Sequence, residues 1–169
     1  AVNRKETFKD NKIEMRQGIY KNEFTKQQET PKASVFAFYN GDCKYDLRNN
    51  LLLSMTSQIL DLVYTEKVRE DEGGTYGVYV GGTLQKYPKE KAILQIIFDT
   101  APEKKEKLMK IIFGEIDNIT KTGPSEANLN KVKEYMLKKH TEDLKENSYW
   151  LGSIDEYLYT GMNRMNDYE

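Results

Sequence analysis

Residues 68–82 read Val-Arg-Glu-Asp-Glu-Gly-Gly-Thr-Tyr-Gly-Val-Tyr-Val-Gly-Gly, and this stretch decides the fold. An apolar helical pattern runs into Arg69, and an alternating apolar pattern starts at Tyr76. Gly73 and Gly74 accept positive φ without a steric penalty, so the chain can reverse direction between the two patterns. The stretch therefore predicts a helix, a tight turn and a strand, with Arg69 close to Tyr76.

Arg69 and Tyr76 are the candidate binding residues of this junction. A guanidinium and a phenol side by side can hold a peptide carbonyl or carboxylate. On the residues alone a second interpretation stays open, in which Arg69 pairs with the neighbouring acids and Tyr76 packs on the sheet. Phosphate binding by the glycine pair is disfavoured, because a Walker-type Lys-Ser/Thr is absent and a strand follows instead of a helix.

Upstream of the junction, the sequence predicts a strand and a long helix. Residues 33–39 are short, β-branched and aromatic, and they are apolar on both alternating sets, which predicts a strand with both faces covered. Asp46 is placed to cap a helix that extends to about Val68. Residues 1–32 are a predicted lead-in, with a strand over 14–24 and a linker before the domain of residues 33–169.

Downstream of the junction, the sequence predicts a hairpin and three helices. The first hairpin strand continues through a second glycine pair, Gly81 and Gly82, which allows a bulge or bend. A helix after Pro102 and another that starts at Ser125 follow the hairpin, and Ser148 or Ser153 is the predicted cap of a last helix. The order predicts an α+β two-layer sandwich, with a mostly antiparallel sheet and helices packed on one face.

The face of the sheet opposite the helices is expected to need a second cover. Val35 or Phe36 in the first strand, and Ile93 with Ile97 in the hairpin, place apolar side chains there. A partner domain, a second copy of the chain or a ligand cavity are the alternatives for that cover.

Composition excludes several classes of function. The 26 Lys and Arg are interspersed with 27 Asp and Glu, so no basic face favours nucleic acid. Cys43 is the single cysteine and His140 the single histidine, so neither an internal disulfide nor a complete His/Cys zinc site is expected. No run approaches the roughly 18 to 20 apolar residues of a membrane-spanning helix. The chain begins with Ala, which suggests a processed chain or an excised fragment.

The segment from Val68 to Val78 resembles the pitrilysin/insulinase family of zinc metallopeptidases. Members carry an Arg-Glu-x-x-Gly-x-x-Tyr-like segment at the same helix-to-strand junction. Other stretches agree, including Thr30-Pro-Lys-Ala33, Tyr39-Asn-Gly-Asp42 and Asn147-Ser-Tyr-Trp-Leu151. The resemblance covers roughly residues 18–161 and implies the repeat-domain fold of pitrilysin and the processing peptidases.

The resemblance implies that Arg69 and Tyr76 match a pair that helps to hold the substrate backbone near a zinc ion on the opposite half of the enzyme. The family's zinc motif, His-x-x-Glu-His with a distal Glu, is missing from this chain. The chain is therefore expected to be a C-terminal, non-zinc, substrate-binding domain that is inactive alone and closes over a peptide opposite the zinc-bearing half.

A second function of the same fold stays open. The chain is alternatively a non-catalytic interaction or scaffold subunit, in which Arg69 and Tyr76 are interface residues. An upstream His-x-x-Glu-His segment in the same gene would favour the peptidase. Bacterial members of the family are periplasmic or cytoplasmic, and the periplasm is favoured here.

Overall fold

The computed structural model describes residues 9, 11–70 and 75–164, except the side chains of residues 69, 70, 75 and 76. In chain order the elements are β1 (Ala33–Asp42), α1 (Leu47–Tyr64), a π-helical turn (Thr65–Glu70), β2 (Thr75–Gln85), β3 (Lys91–Thr100), a 3₁₀ turn (Pro102–Lys104), α2 (Lys105–Thr122), α3 (Glu126–Asp143) and α4 (Asn147–Thr160). The three strands form one antiparallel sheet in the order β1-β3-β2. The predicted α+β class and the hairpin are confirmed.

The helices cover one face of this sheet through a single main core. It contains the buried side chains of α1 and its π-helical turn, of β3 and of α2, namely Leu60, Tyr64, Val68, Ile96, Phe98, Leu108 and Ile112. A smaller cluster joins α1 to α3 through Ile59, Val63 and Val132. Because α1 contributes to both clusters, it is the element around which the other helices are arranged.

The start of α1 follows the sequence prediction, and its end differs. The Asp46 side chain accepts a hydrogen bond from the backbone N–H of Asn49 at 2.9 Å, as an N-cap residue should. Regular α-helix ends at Tyr64, and the chain continues to Glu70 as a π-helical turn. This turn keeps Val68 buried in the core.

The second glycine pair has a different role from the predicted bend. A Cβ at Gly82 would lie 2.6 Å from Ser57 Oγ and 2.7 Å from Leu53 Cγ, so the absence of a side chain lets α1 approach β2 closely. The register shift of the hairpin lies instead between Thr75 and Val78, at the other end of β2.

The predicted strand over residues 14–24 is wrong. The described residues 11–32 form no strand, and the side chains of Ile13, Ile19 and Phe24 are exposed. The apolar residues of this segment do not alternate regularly, so no register would place them all on one face. Glu14 pairs with Lys89 and Glu23 with Lys105, which ties the lead-in to the hairpin turn and to the start of α2.

The predicted caps of the last helix are also wrong. The N-cap position of α4 is Glu146, whose side chain makes no capping hydrogen bond. Ser148 lies in the first turn, and Ser153 is buried inside the helix. The indole N–H of Trp150 donates to the carbonyl of Leu144 at 2.9 Å, and this contact closes the corner between α3 and α4.

β1 is covered on one face only, in contrast to the prediction. Val35 and Ala37 pack against the core, whereas Phe36 and Phe38 are 61% and 54% exposed. Phe36 pairs with Ile97 of β3, which pairs in turn with Tyr79 of β2. The open sheet face, as we name it, consists of Phe36, Phe38, Tyr79, Ile93 and Ile97.

Tyr64→Phe tests the hydrogen bond at the centre of the core. The fully buried Tyr64 hydroxyl donates to the carbonyl of Ile112 at 3.0 Å, and burial raises the pKa of this phenol. We expect a loss of about 1 kcal/mol in the free energy of unfolding, measured by urea denaturation. Tyr135→Phe, at an exposed position of α3, is the matched control and should change little; an equal effect of the two substitutions would contradict the assignment.

Candidate functional site

The backbone of the candidate junction is held on its helical side by the core. Val68 is buried directly before Arg69, and Lys67 pairs with Glu115 of α2. Both residues belong to the π-helical turn, a conformation that is frequent at functional sites. The position of the Arg69 backbone is therefore fixed by its two preceding neighbours.

A β-bulge holds the other side of the junction. Thr75 pairs with Thr100 and Val78 pairs with Phe98, so Tyr76 and Gly77 of β2 lie opposite the single residue Asp99 of β3. Gly77 has φ 132°, a value that side chains disfavour, which explains the glycine. Bulges of this kind change the direction of side chains and are common beside active sites.

Asp99 forms a polar cluster on the strand next to the bulge. Its carboxylate accepts hydrogen bonds from Ser34 Oγ at 2.6 Å and from Lys32 Nζ at 3.0 Å. These two donors, Ser34 foremost, lower the pKa of Asp99 below its ordinary value. The cluster joins the start of β1 to the end of β3, beside the bulge that contains Tyr76.

The structure places the backbones of Arg69 and Tyr76 at the two sides of the junction. Their side chains lie outside the described residues, as do Gly73 and Gly74. The contact between the guanidinium and the phenol, and the turn at the glycine pair, therefore stay predictions.

A second feature lies at the far end of β2. A groove of about 660 Å³ separates the end of this strand and the hairpin turn from α4. We name it the tyrosine groove, and its aromatic lining consists of Tyr45, Tyr87, Tyr149 and Tyr159. The rings of Tyr87 and Tyr159 meet edge to face at 5.3 Å between centroids.

Three charged residues of the tyrosine groove, Lys86, Glu156 and Arg164, have partners within the fold. Glu156 accepts hydrogen bonds from the hydroxyl of Tyr45 at 2.8 Å and from Arg164. Burial of the phenol is the main cause that raises the pKa of Tyr45, and the hydrogen bond to Glu156 is the second cause. The ammonium of Lys86 donates to the carbonyl of Thr160 and lies 5.9 Å from the centroid of the Tyr45 ring.

Sequence reasoning missed both the Asp99 cluster and the tyrosine groove. Their members are distant along the chain, and no short motif connects Tyr45 with Tyr87 or Tyr159. Asp99 lies on the same face of β3 as Ile97, and only the pairing of β1 with β3 places Ser34 beside it.

Neither a metal cluster nor a membrane span is present in the described part of the chain. Among residues 9, 11–70 and 75–164, no group of three His, Cys, Asp or Glu side chains is placed to hold a metal ion. No helix in the same residues is long and apolar enough to cross a bilayer. The ring of His140 packs edge to face on Tyr149, with 5.8 Å between centroids.

Ser34→Ala tests the polar cluster beside the bulge. We expect Asp99 to titrate below the roughly 3.9 of an unfolded Asp, so its contribution to stability is complete above that pH and is lost as the pH falls through the lower folded pKa. Ser34→Ala and Lys32→Met should each raise the pKa of Asp99, as measured by NMR titration of the carboxyl group. Ser54→Ala in α1 is the control; an unchanged pKa in Ser34→Ala would contradict the assignment.

Three solved structures resemble the fold. The periplasmic protease PqqL from Escherichia coli has a TM-score of 0.67 and 19% identity over 78% of this chain and 15% of its own. A mutant of the ferredoxin protease FusC, in complex with Arabidopsis ferredoxin, has a TM-score of 0.66 and 15% identity over 79% and 15% of the two chains. A peptidase M16 inactive domain from Pseudomonas fluorescens has a TM-score of 0.55 and 25% identity over 64% and 26%.

Sequence comparison gives the family. This chain spans about 15% of the length of each of the two proteases, and no curated protein matches it. The model of the peptidase M16 inactive domain matches residues 7–136, which include most of the predicted lead-in, the elements from β1 to α2, and most of α3. The chain therefore belongs to the peptidase M16 family, that of pitrilysin and insulinase, as an inactive domain without the zinc motif.

Proposed function

We propose that this chain is the substrate-binding domain of a zinc metalloendopeptidase and that it closes over a peptide opposite the zinc-bearing half. The observation that carries the proposal is the junction, where a π-helical turn and a β-bulge hold the backbones of Arg69 and Tyr76. Membership of the peptidase M16 family supports the peptidase context.

In the proposed role, Arg69 and Tyr76 donate hydrogen bonds to a backbone carbonyl of the bound peptide near the scissile bond. Donors held by rigid elements need little reorganisation when charge develops on the carbonyl oxygen, so they stabilise the transition state more than the ground state. The core packing of Val68 and the pairing of β2 with β3 supply this rigidity.

The residues of this chain do not fit a zinc site. One histidine and one cysteine are too few for the family's metal motif, and no acidic cluster in the described residues replaces them. Zinc thus belongs, in the proposal, to another domain of the complete protein, and the role of this chain is to bind and orient the peptide.

The open sheet face supports a partner half. Phe36 of β1 and Tyr79 of β2, which are 61% and 55% exposed, flank Ile97 of the central strand β3 on the same face of the sheet. Exposed large apolar side chains clustered on one face are typical of an interface. We propose that the zinc-bearing half, or a domain joined to it, covers this face in the complete protein.

Arg69→Ala and Tyr76→Phe test the role of the junction. In the complete protein, each substitution should lower peptide turnover by roughly 100- to 1,000-fold, the loss that follows removal of one preorganised donor. The zinc content, measured by atomic absorption, should not change, because neither residue is a proposed ligand.

Two exposed residues on other helices provide the controls for this experiment. Arg48→Ala in α1 and Tyr135→Phe in α3 remove the same chemical groups and should leave turnover unchanged. Full turnover in both Arg69→Ala and Tyr76→Phe would remove the assigned role and would favour the non-catalytic interaction subunit.

Paired substitution of Phe36→Ser and Phe38→Ser tests the proposed interface. Both side chains are largely exposed in this chain, so its own melting temperature should change little. Association with the separately expressed zinc-bearing half should weaken by about tenfold or more, measured by isothermal titration calorimetry. Leu137→Ser, at an exposed position of α3, is the control, and undiminished association of the double variant would contradict a docking role for the open sheet face.

A further inference from the structure

We propose that the tyrosine groove is a docking site for an arginine side chain of a partner polypeptide, held by the carboxylate of Asp155 and by the tyrosine rings around it. The groove is separate from the Arg69 and Tyr76 junction. Thr83 is the first residue of β2 that lines the groove, and it follows Tyr76 by about 23 Å of strand at roughly 3.3 Å per residue.

The charge of Asp155 carries the inference. The charged side chains that line the groove are Lys86, Asp155, Glu156 and Arg164. Glu156 pairs with Arg164, and Lys86 donates to the carbonyl of Thr160. Asp155 is exposed, and within the part of the chain that the structure describes no hydrogen bond or ion pair holds its carboxylate. The groove therefore offers one negative charge to a cation from outside.

Gly152 leaves room for this cation beside the carboxylate. Gly152, Asp155 and Tyr159 follow one another at steps of three and four residues in α4, so they lie in line on the face that borders the groove. Helical side chains tilt toward the N-terminus of their helix, so the side chain of Asp155 leans over the turn that contains Gly152. A Cβ at Gly152 would have no heavy atom within 4 Å, so the space above this turn is open.

The groove already holds one cation against its tyrosine rings. The ammonium of Lys86 lies 5.9 Å from the centroid of the Tyr45 ring and 5.7 Å from that of the Tyr87 ring. Ring faces attract cations at such distances. Tyr159 lies one helical turn after Asp155 and is 69% exposed, so it offers a further ring to a cation at the carboxylate.

A guanidinium fits this combination of groups better than an ammonium does. It is planar, it forms two parallel hydrogen bonds with a carboxylate, and it stacks on aromatic rings. An acidic side chain would be repelled by Asp155. The volume of the groove, about 660 Å³, lies within the range of roughly 300 to 1,000 Å³ that is typical of binding sites.

The source of the arginine is a partner polypeptide. Residues 165–169, which follow the lining residue Arg164, read Met-Asn-Asp-Tyr-Glu, and a segment with two acids and no base does not supply a cation. Arg4 and Lys5 are the alternative cations near the start of this chain, and substituting both of them tests that alternative.

Family membership does not assign this site. The family model matches residues 7–136, whereas α4 begins at Asn147, so the helical wall that carries Asp155 lies beyond the matched residues. The site is thus assigned from the side chains of this chain alone.

Asp155→Asn tests the site with a defined probe, the capped tripeptide acetyl-Gly-Arg-Gly-amide. We expect the probe to shift the amide NMR signals of Gly152, Asp155 and Tyr159 in the full chain, with a dissociation constant of about 1 mM. Asparagine has nearly the size and shape of aspartate without its charge, so Asp155→Asn should weaken binding by about tenfold. Because Asp155 is exposed, the melting temperature should change little.

Asp61→Asn in α1 is the matched control. Asp61 is also exposed on a helix and lies outside the groove, so this variant should bind the probe like the unchanged protein. A second probe, with citrulline in place of arginine, keeps the shape of the side chain without its charge and should bind about tenfold more weakly. Gly152→Leu should also weaken binding by filling the space beside Asp155, and it should keep or raise the melting temperature because leucine is the better helix former.

Four outcomes overturn the inference. They are the absence of signal shifts at about ten times the expected dissociation constant, equal binding by Asp155→Asn, equal binding of the citrulline probe, and binding that appears only after Arg4→Gln and Lys5→Gln are combined. The last result would assign the groove to this chain's own start. None of these measurements involves Arg69 or Tyr76, so the groove and the proposed function can fail independently.

Discussion

The packing of α1 and its π-helical turn against β3 and α2 is the constraint on which the rest of the structure depends. Tyr64 and Val68 are buried there with Ile96 and Ile112, and the Tyr64 hydroxyl donates to the α2 backbone. Large side chains in such a core have little freedom to shift, because protein interiors are close-packed. The chain therefore enters the junction from a fixed direction and leaves it on β2, which is paired to the same central strand.

The sheet uses its two faces differently. On one face, Gly82 lets α1 lie close to β2, and the helices bury the apolar side chains of β3. On the other, Phe36, Phe38 and Tyr79 remain largely exposed. Because the helices cover only one face of the three-stranded sheet, the other face exposes large apolar side chains. An exposed apolar face of this kind is suited to contact with another domain in a larger assembly.

β2 connects the helix-to-strand junction with the tyrosine groove. The start of β2 forms a bulge that contains Tyr76 and lies opposite Asp99 of β3. The end of β2 borders the tyrosine groove. At the start of β2 the bulge interrupts the hydrogen bonds to β3, and at its end α4 lies across the groove from the strand. Both arrangements use an edge strand, whose outer main-chain groups are not committed to a neighbouring strand in the described residues.

The alternation and spacing of apolar residues determined much of the fold before any coordinates. They indicated the hairpin, the long helix after Asp46 and the α+β class, because these features depend on local periodicity and capping. The same patterns failed over residues 14–24, where apolar residues occur but no strand forms. They also failed at Ser148 and Ser153, which have the residue type of a cap but lie inside α4.

The sequence by itself determined which residue types meet at the helix-to-strand junction, and the family to which the chain belongs. Only the tertiary structure decided which face of β1 is exposed, where the bulge lies, and that Tyr45, Tyr87 and Tyr159 share one groove. These properties depend on strand order and helix placement, which bring together residues at least 20 positions apart, and local periodicity carries no information at that range.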